Sequence, residues 1–244
     1  MNDNPNTSAA ASADEIMIAA AGLHKSYGTG AARVHVLRGL DLSVGRGEFL
    51  AVMGPSGCGK TTLLHLLGLM TTPDADAKGG RRGRISLDGA EVPDSDSART
   101  ALRRAKIGFV FQRFNLISVL NAVDNVRISL KVRGVKPDAG GLDELFEQLG
   151  VAHLKKRKPG QMSIGEQQRL AVVRALAHRP AVLLADEPTG NLDSDNSAAL
   201  LNIFRQANRV GHQTIVMITH SADAASYADR VVYMKDGRIV DKRD

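Results

Sequence analysis

Residues Gly54-Pro-Ser-Gly-Cys-Gly-Lys-Thr61 fill every fixed position of the pattern G-x-x-x-x-G-K-[ST]. The flanking residues suit it: an apolar strand is predicted over Phe49–Met53 and a helix over Lys60–Leu69. Gly57 and Gly59 let the backbone curl until successive N–H groups point inward at phosphate oxygens. The helix that follows aims its positive N-terminal end at the same charge. Lys60 is expected to reach the β- and γ-phosphates of a nucleotide, and the Thr61 hydroxyl to bind Mg²⁺. Gly54, Pro55, Ser56, Gly57, Cys58, Gly59, Lys60, Thr61 and Thr62 are therefore the expected nucleotide contacts. Cys58 occupies a variable position of the loop, where a small residue fits, and its thiol is expected to be open to reagents when nucleotide is absent.

A second constellation lies downstream. Val182-Leu-Leu-Ala-Asp186-Glu187 is an apolar strand ending in two carboxylates, an arrangement that buried strands rarely adopt without a cation to hold. Asp186 is expected to help hold Mg²⁺, largely through water, and Glu187 to polarise an attacking water as general base. His220 follows another apolar strand; a lone histidine at a strand end is more often structural, yet this one is placed to meet a γ-phosphate.

The elements that must position these groups alternate. Strands are predicted at Ile16–Leu23, Leu40–Val44, Ile85–Leu87 before an Asp88-Gly89 hairpin turn, Ile107–Phe111, Val182–Ala185, Thr214–Thr219, Val231–Met234 and Arg238–Val240. Helices are predicted over Gly165–His178, stopped by Pro180, and over Ser194–Asn208. Between Asn121 and Leu154 apolar residues recur at helical spacing, which reads as a helical insertion among β-rich elements. Strands alternating with helices imply an α/β fold with a largely parallel sheet covered on both faces.

The totals set bounds. Aromatics at 4% with no Trp argue against a stacking platform, so no nucleic-acid partner is expected. The excess of 32 basic over 26 acidic side chains suits nucleotide phosphates or the inner face of a membrane, and equally describes an ordinary basic surface. A single cysteine excludes an intrachain disulfide and points to the cytosol. No apolar run approaches the roughly 20 residues a membrane span needs. Residues 1–13 are expected to form a disordered tail, with one catalytic domain over 14–244.

On these residues the chain resembles the ABC transporter ATPases, from about Ile16 to Lys242. The stretch Gln161-Met-Ser-Ile-Gly-Glu-Gln-Gln-Arg-Leu170 is similar to that family's signature motif. The resemblance implies a P-loop core, an N-terminal antiparallel β portion and a helical subdomain at about 113–164. By resemblance, Tyr27 stacks on adenine, and Gln112 senses Mg²⁺ and the attacking water while linking to a membrane subunit. Ser163, Gly165 and Glu166 close over the γ-phosphate of the opposite subunit, Asp193 couples the two sites, and His220 is the switch histidine. Ser163 at a helix start gives that reading its own physics, since hydroxyl, N–H groups and helix dipole converge on an anion.

The residues Lys25-Ser-Tyr-Gly28, Gly108–Leu116 and Asp186–Ser194 resemble the group serving lipoprotein-releasing, macrolide-exporting and cell-division complexes. The implied partners are an integral membrane permease-type subunit and a second nucleotide-binding subunit, at the cytoplasmic face of the cell membrane. The expected work is export or extraction, with mechanical or regulatory transmission across the membrane as the alternative. A DNA- or ribosome-directed relative would call for two nucleotide domains or a long coiled-coil insertion, and neither is in this sequence. Two departures stand out: Ile164 replaces the signature's first glycine, adding β-branched bulk near the phosphate, and residues 76–82 lengthen the loop after the first helix.

Overall fold

The computed structural model describes residues 15–75 and 83–241; the expectations for the 1–13 tail and the 76–82 insertion lie outside them. Two sheets form. In the first, β1 (Ile16–Tyr27) pairs antiparallel with β2 (Val34–Gly45) on one side and β4 (Arg84–Leu87) on the other, and β5 (Ala90–Glu91) pairs with β4. The hairpin between β4 and β5 turns at Asp88 and Gly89, both with left-handed φ (56° and 78°), as an Asp-Gly pair permits. The hairpin of β1 and β2 is longer than the sequence reading. Gly22 (φ 61°) and Gly39 (φ 73°) sit where the register shifts, so bulges absorb them and pairing continues through the polar stretch to Tyr27.

The second sheet runs β10-β9-β3-β8-β7-β6, from Arg238–Val240, Arg230–Lys235, Phe49–Met53, Thr214–Ile218, Val182–Asp186 and Ile107–Val110. Only β10 is antiparallel. Period-two alternation splits the strands between two cores. Leu50 and Val52 of β3, Leu184 of β7 and Val216 of β8 face the antiparallel sheet and α1 (Lys60–Leu67). Phe49, Ala51, Leu183 and Ile215 face the other way, onto helices. Burial on both faces is why these strands are continuous apolar runs.

The helices of that second face are α3 (Ala122–Arg133), α4 (Ala139–Gln148), α5 (Ile164–Leu176) and α6 (Ser194–Gly211), with the short α7 (Ala222–Ala225). Two helices escaped the sequence reading, the four-residue α7 and the longer α2. α2 (Asp96–Lys106) has a narrow apolar stripe, Ala98, Ala101, Leu102 and Ala105 at helical spacing, in an otherwise polar sequence, and Leu102 packs on the first core. Arginines fasten it as well: buried Arg99 donates to the Thr71 carbonyl, and Arg103 donates to the Leu69 carbonyl at 2.6 Å. Because β3, β6, β7 and β8 are parallel and in register, their C-terminal ends share one edge of the sheet. Ligands of open α/β sheets bind outside that edge.

Candidate active site

The loop after β3 closes on glycines at left-handed φ, 79° at Gly57 and 105° at Gly59, the latter capping α1. Gly54 is required by proximity, since a Cβ there would collide with the Met234 carbonyl. The β9–β10 turn braces the loop from the same side, Gly237 N–H donating to Cys58 O at 3.1 Å. Lys60 is nearly buried at 8% exposure, and its Nζ donates to the carbonyls of Gly54 (2.8 Å) and Pro55 (2.9 Å). A buried ammonium beside a helix N-terminus, held by carbonyls rather than a carboxylate, makes a pocket of positive potential fit for a polyanion.

Asp186 ends β7 behind the loop, its Oδ1 accepting from the Thr61 hydroxyl across 3.5 Å. Burial, and then the adjacent Glu187 charge, push its carboxyl above the usual range; His65, Thr61 and Lys60 offset this in part. A hydroxyl and a carboxylate that gains from a nearby cation form the hard oxygen set that suits Mg²⁺. Glu187 holds a left-handed φ of 46°, sparse for a residue with a side chain. Its N–H donates to Ile218 O and its carbonyl accepts from Gly190 N–H, both at 3.0 Å, so the backbone is pinned from two sides. Its Oε2 lies 2.9 Å from His220 Nδ1. A carboxylate only accepts, so Nδ1 carries the proton in this contact.

Gln112, just past β6, approaches the turn after β7 so closely that a Cβ at Gly190 would sit 2.8 Å from its Nε2. Asn191 donates to the Gln112 carbonyl at 2.9 Å. Tyr27, at the end of β1, is 46% exposed. Tyr27, Ser56, Gly57, Gly59, Lys60, Thr61, Thr62, Gln112, Glu187 and His220 together line a cavity of about 530 Å³. Val36 and Ile218 complete the lining, and no sequence pattern marked either.

Cys58 corrects an expectation. Its side chain is buried in the core cluster beneath the loop, so its thiol is not presented to reagents. The small side chain serves packing, and a Cβ at Gly54 would already lie 3.0 Å from its Sγ.

The signature residues sit elsewhere. Ser163 caps α5 in a reciprocal box: its Oγ accepts from Glu166 N–H at 3.3 Å, and Glu166 Oε2 accepts from Ser163 N–H at 2.7 Å. The Ser163 N–H bond is the largest influence holding the Glu166 carboxyl below its usual range; His153 stands 3.4 Å away. Gly165 packs so tightly on Asn196 that a Cβ would collide with its amide. That amide is held by Asp193, which caps α6 and accepts from Asn196 N–H and Nδ2 at 2.8 Å each. Ile164, by contrast, takes an ordinary helical position with its side chain 52% exposed, so the backbone here needs no glycine. None of Ser163, Ile164, Gly165, Glu166 or Asp193 lines the cavity.

The fold and this edge define a P-loop nucleoside triphosphatase. The ABC transporter family profile matches residues 37–190. Lipoprotein-releasing system ATP-binding protein LolD 1 of Rhodopseudomonas palustris is 43% identical over 223 residues, covering 89% of this chain and 96% of that protein. Macrolide export ATP-binding/permease protein MacB of Chlorobium luteolum is 44% identical over 220 residues, 89% of this chain; the chain spans only 32% of that protein's length. The solved dimer of the ATP-binding cassette MJ0796 of Methanocaldococcus jannaschii, a post-hydrolysis state bound to ADP and Pi, superposes with TM-score 0.81 at 34% identity, covering 92% of this chain and 97% of that one. The chain belongs to the ABC transporter family, among its ATP-hydrolysing cassettes.

Asp186 makes one consequence measurable without turnover. Its folded-state pKa is raised, so between the unfolded and folded values the native state binds more protons and stability falls as pH rises. Above that window the ionised carboxylate is a constant penalty. Asp186→Asn is therefore expected to raise the melting temperature of the nucleotide-free protein at pH 7 by roughly 2–4 °C, the shift ~1 kcal/mol produces at this size. The gain should vanish near pH 3 and hydrolysis should be lost. Calorimetry at both pH values checks it.

Proposed function

We propose that two copies of the chain close head to tail on ATP and that each cycle of binding and hydrolysis drives a membrane subunit, for export or extraction of a substrate. The observation that carries this reading is the division of the site. The phosphate loop, Glu187, Gln112 and His220 share one cavity, while Ser163, Gly165 and Glu166 lie outside it on the start of a helix. Among the described residues the start of that helix, closed by its own Ser163–Glu166 box, lies apart from the phosphate loop of its own chain. A two-fold axis brings it over the partner's cavity. The MJ0796 cassette, similar in fold, is a dimer bound to ADP and Pi.

In this reading Tyr27 receives the base, the loop N–H groups and Lys60 take the phosphates, and Glu187 accepts a proton from the attacking water. His220, bonded to Glu187, meets the γ-phosphate, and Gln112 orients the water. Thr61 and Asp186, with Gln112, would hold Mg²⁺, which when bound neutralises charge on the β- and γ-oxygens. The helical portion at about 113–164 presents the signature, and Asp193 ties it to the second site.

The membrane partner has a place to bind. A groove of about 560 Å³ is walled by Met70, Phe109, Phe111, Ile117, Ile128 and Val132 and rimmed by Arg103, Arg104, Arg133 and Arg174, with no acid in its lining. It borders Gln112 through Phe111. Apolar walls under four arginines suit an amphipathic segment carrying an acidic residue. No helix among the described residues is long and apolar enough to cross a membrane. In this reading the spanning part is the partner's, and this chain works at its cytoplasmic face. The partner is identified by purifying tagged chain from detergent-solubilised membranes. Ile128→Asp is expected to release the membrane protein while ATP binding stays within twofold. Full retention of the partner by that variant contradicts the groove assignment.

A further inference from the structure

Gln168 lies within α5, two residues past Glu166 in the signature-like stretch, and is fully buried. Its Nε2 donates to the Pro188 carbonyl at 2.9 Å and, at longer range, to the Phe111 carbonyl at 3.5 Å. Pro188 directly follows Glu187, and Phe111 directly precedes Gln112. One amide thus spans the ends of β7 and β6, the two chain segments that carry the groups assigned to the attacking water. Its orientation is not arbitrary. Both neighbours are carbonyls, so only the nitrogen end can face them. The oxygen end, Oε1, is left buried with no hydrogen-bond partner among the described residues. A polar side chain kept in a buried place at the expense of an unpaired acceptor is there for its donors.

The same stretch of α5 carries the other contacts of the signature. Gly165 and Arg169 are three residues before and one after Gln168. Gly165 packs on Asn196, and Arg169 Nη1 donates to Asn196 Oδ1 at 3.2 Å. The helix start is therefore fixed to the first turn of α6, and one turn later the helix is fixed to the two strand ends. A shift of the signature moves both.

We propose that Gln168 is a positioning residue for hydrolysis: it transmits the placement of the signature helix to Gln112 and Glu187, so that the attacking water is aligned only when α5 is docked. This rests on the reading that Glu187 and Gln112 handle that water. Gln168 is not among the residues lining the cavity, and its loss leaves the phosphate loop as it is.

Gln168→Met keeps shape and removes both donors together with the orphaned acceptor. In steady-state phosphate release by the full-length chain, it is expected to lower kcat at least tenfold, with KM and the stoichiometry of ATP binding within twofold of wild type. Gln168→Glu supplies the distinguishing readout. Enclosed by carbonyls, its carboxyl is driven to the protonated form, which restores one donor. Its rate, taken relative to wild type at the same pH so that changes common to both cancel, should exceed that of Gln168→Met at pH 6 and fall to it by pH 9. A role in packing alone gives no such divergence with pH. Gln168→Met turning over within twofold of wild type overturns the proposal, as does Gln168→Glu matching Gln168→Met at every pH. Should the methionine variant not fold, the pH profile of the glutamate variant decides by itself. Glu187→Gln, run alongside, separates the two levels: normal hydrolysis by Glu187→Gln sinks the site reading, whereas an inactive Glu187→Gln beside a fully active Gln168→Met sinks only the link.

Discussion

Lys60→Ala is expected to bring ATP hydrolysis down by at least ~10³-fold, the largest single effect in the molecule, because one side chain serves both binding and charge stabilisation. The ammonium is nearly buried and oriented by the Gly54 and Pro55 carbonyls, so it is already in place before nucleotide arrives. An ammonium has three donors, and two carbonyls occupy two of them. Alanine removes the charge and leaves both carbonyls without that donor inside the loop, so nucleotide affinity falls together with turnover. Melting temperatures measured with and without ATP separate the outcomes. The variant should lose most of the ATP-induced stabilisation that wild type shows. A variant that hydrolyses at the wild-type rate is incompatible with the loop's assigned role.

Glu187→Gln is expected to act differently, lowering turnover by about 10²–10⁴-fold while ATP still binds, because general-base catalysis contributes that much and the phosphate contacts are elsewhere. Glutamine preserves the shape of the side chain, and the pinned backbone at φ 46° is untouched. The hydrogen bond from His220 Nδ1 can still be accepted by the amide oxygen, so the site remains assembled. What disappears is the capacity to take a proton. Phosphate release and filter-binding of ATP, measured on the same preparation, check both halves.

Much of this was legible in the sequence for a definite reason. β3 at Phe49–Met53 and β10 at Arg238–Val240 fall where they were read. The first is a continuous apolar run abutting a glycine loop; the second is one arm of an Asp-Gly hairpin. The phosphate loop and the Asp186-Glu187 pair were legible because their chemistry depends on adjacency along the chain. Gln168, Asn196 and the anchoring of α2 were not, because what they do is set by groups far away in sequence: the Pro188 and Phe111 carbonyls for the glutamine, Gly165 and Arg169 for the asparagine, the Thr71 and Leu69 carbonyls for the arginines of α2. Side-chain amides and guanidinium groups carry no periodicity that announces such partners. Cys58 misled for a related reason. Its place in a ligand-binding loop suggested access, whereas the curl of that loop turns its side chain into the core.

In the proposed head-to-tail pair the molecule is half of two sites, and the mass of Glu187→Gln in ATP and Mg²⁺ tests that most directly. Light scattering behind a sizing column should give twice the 26.0 kDa of one chain, with two ATP molecules retained per pair and reversion to single chains when Mg²⁺ is chelated or Lys60→Ala is added. A Glu187→Gln protein that binds ATP fully yet stays at the mass of one chain, even at high concentration, would contradict a composite site built from two copies.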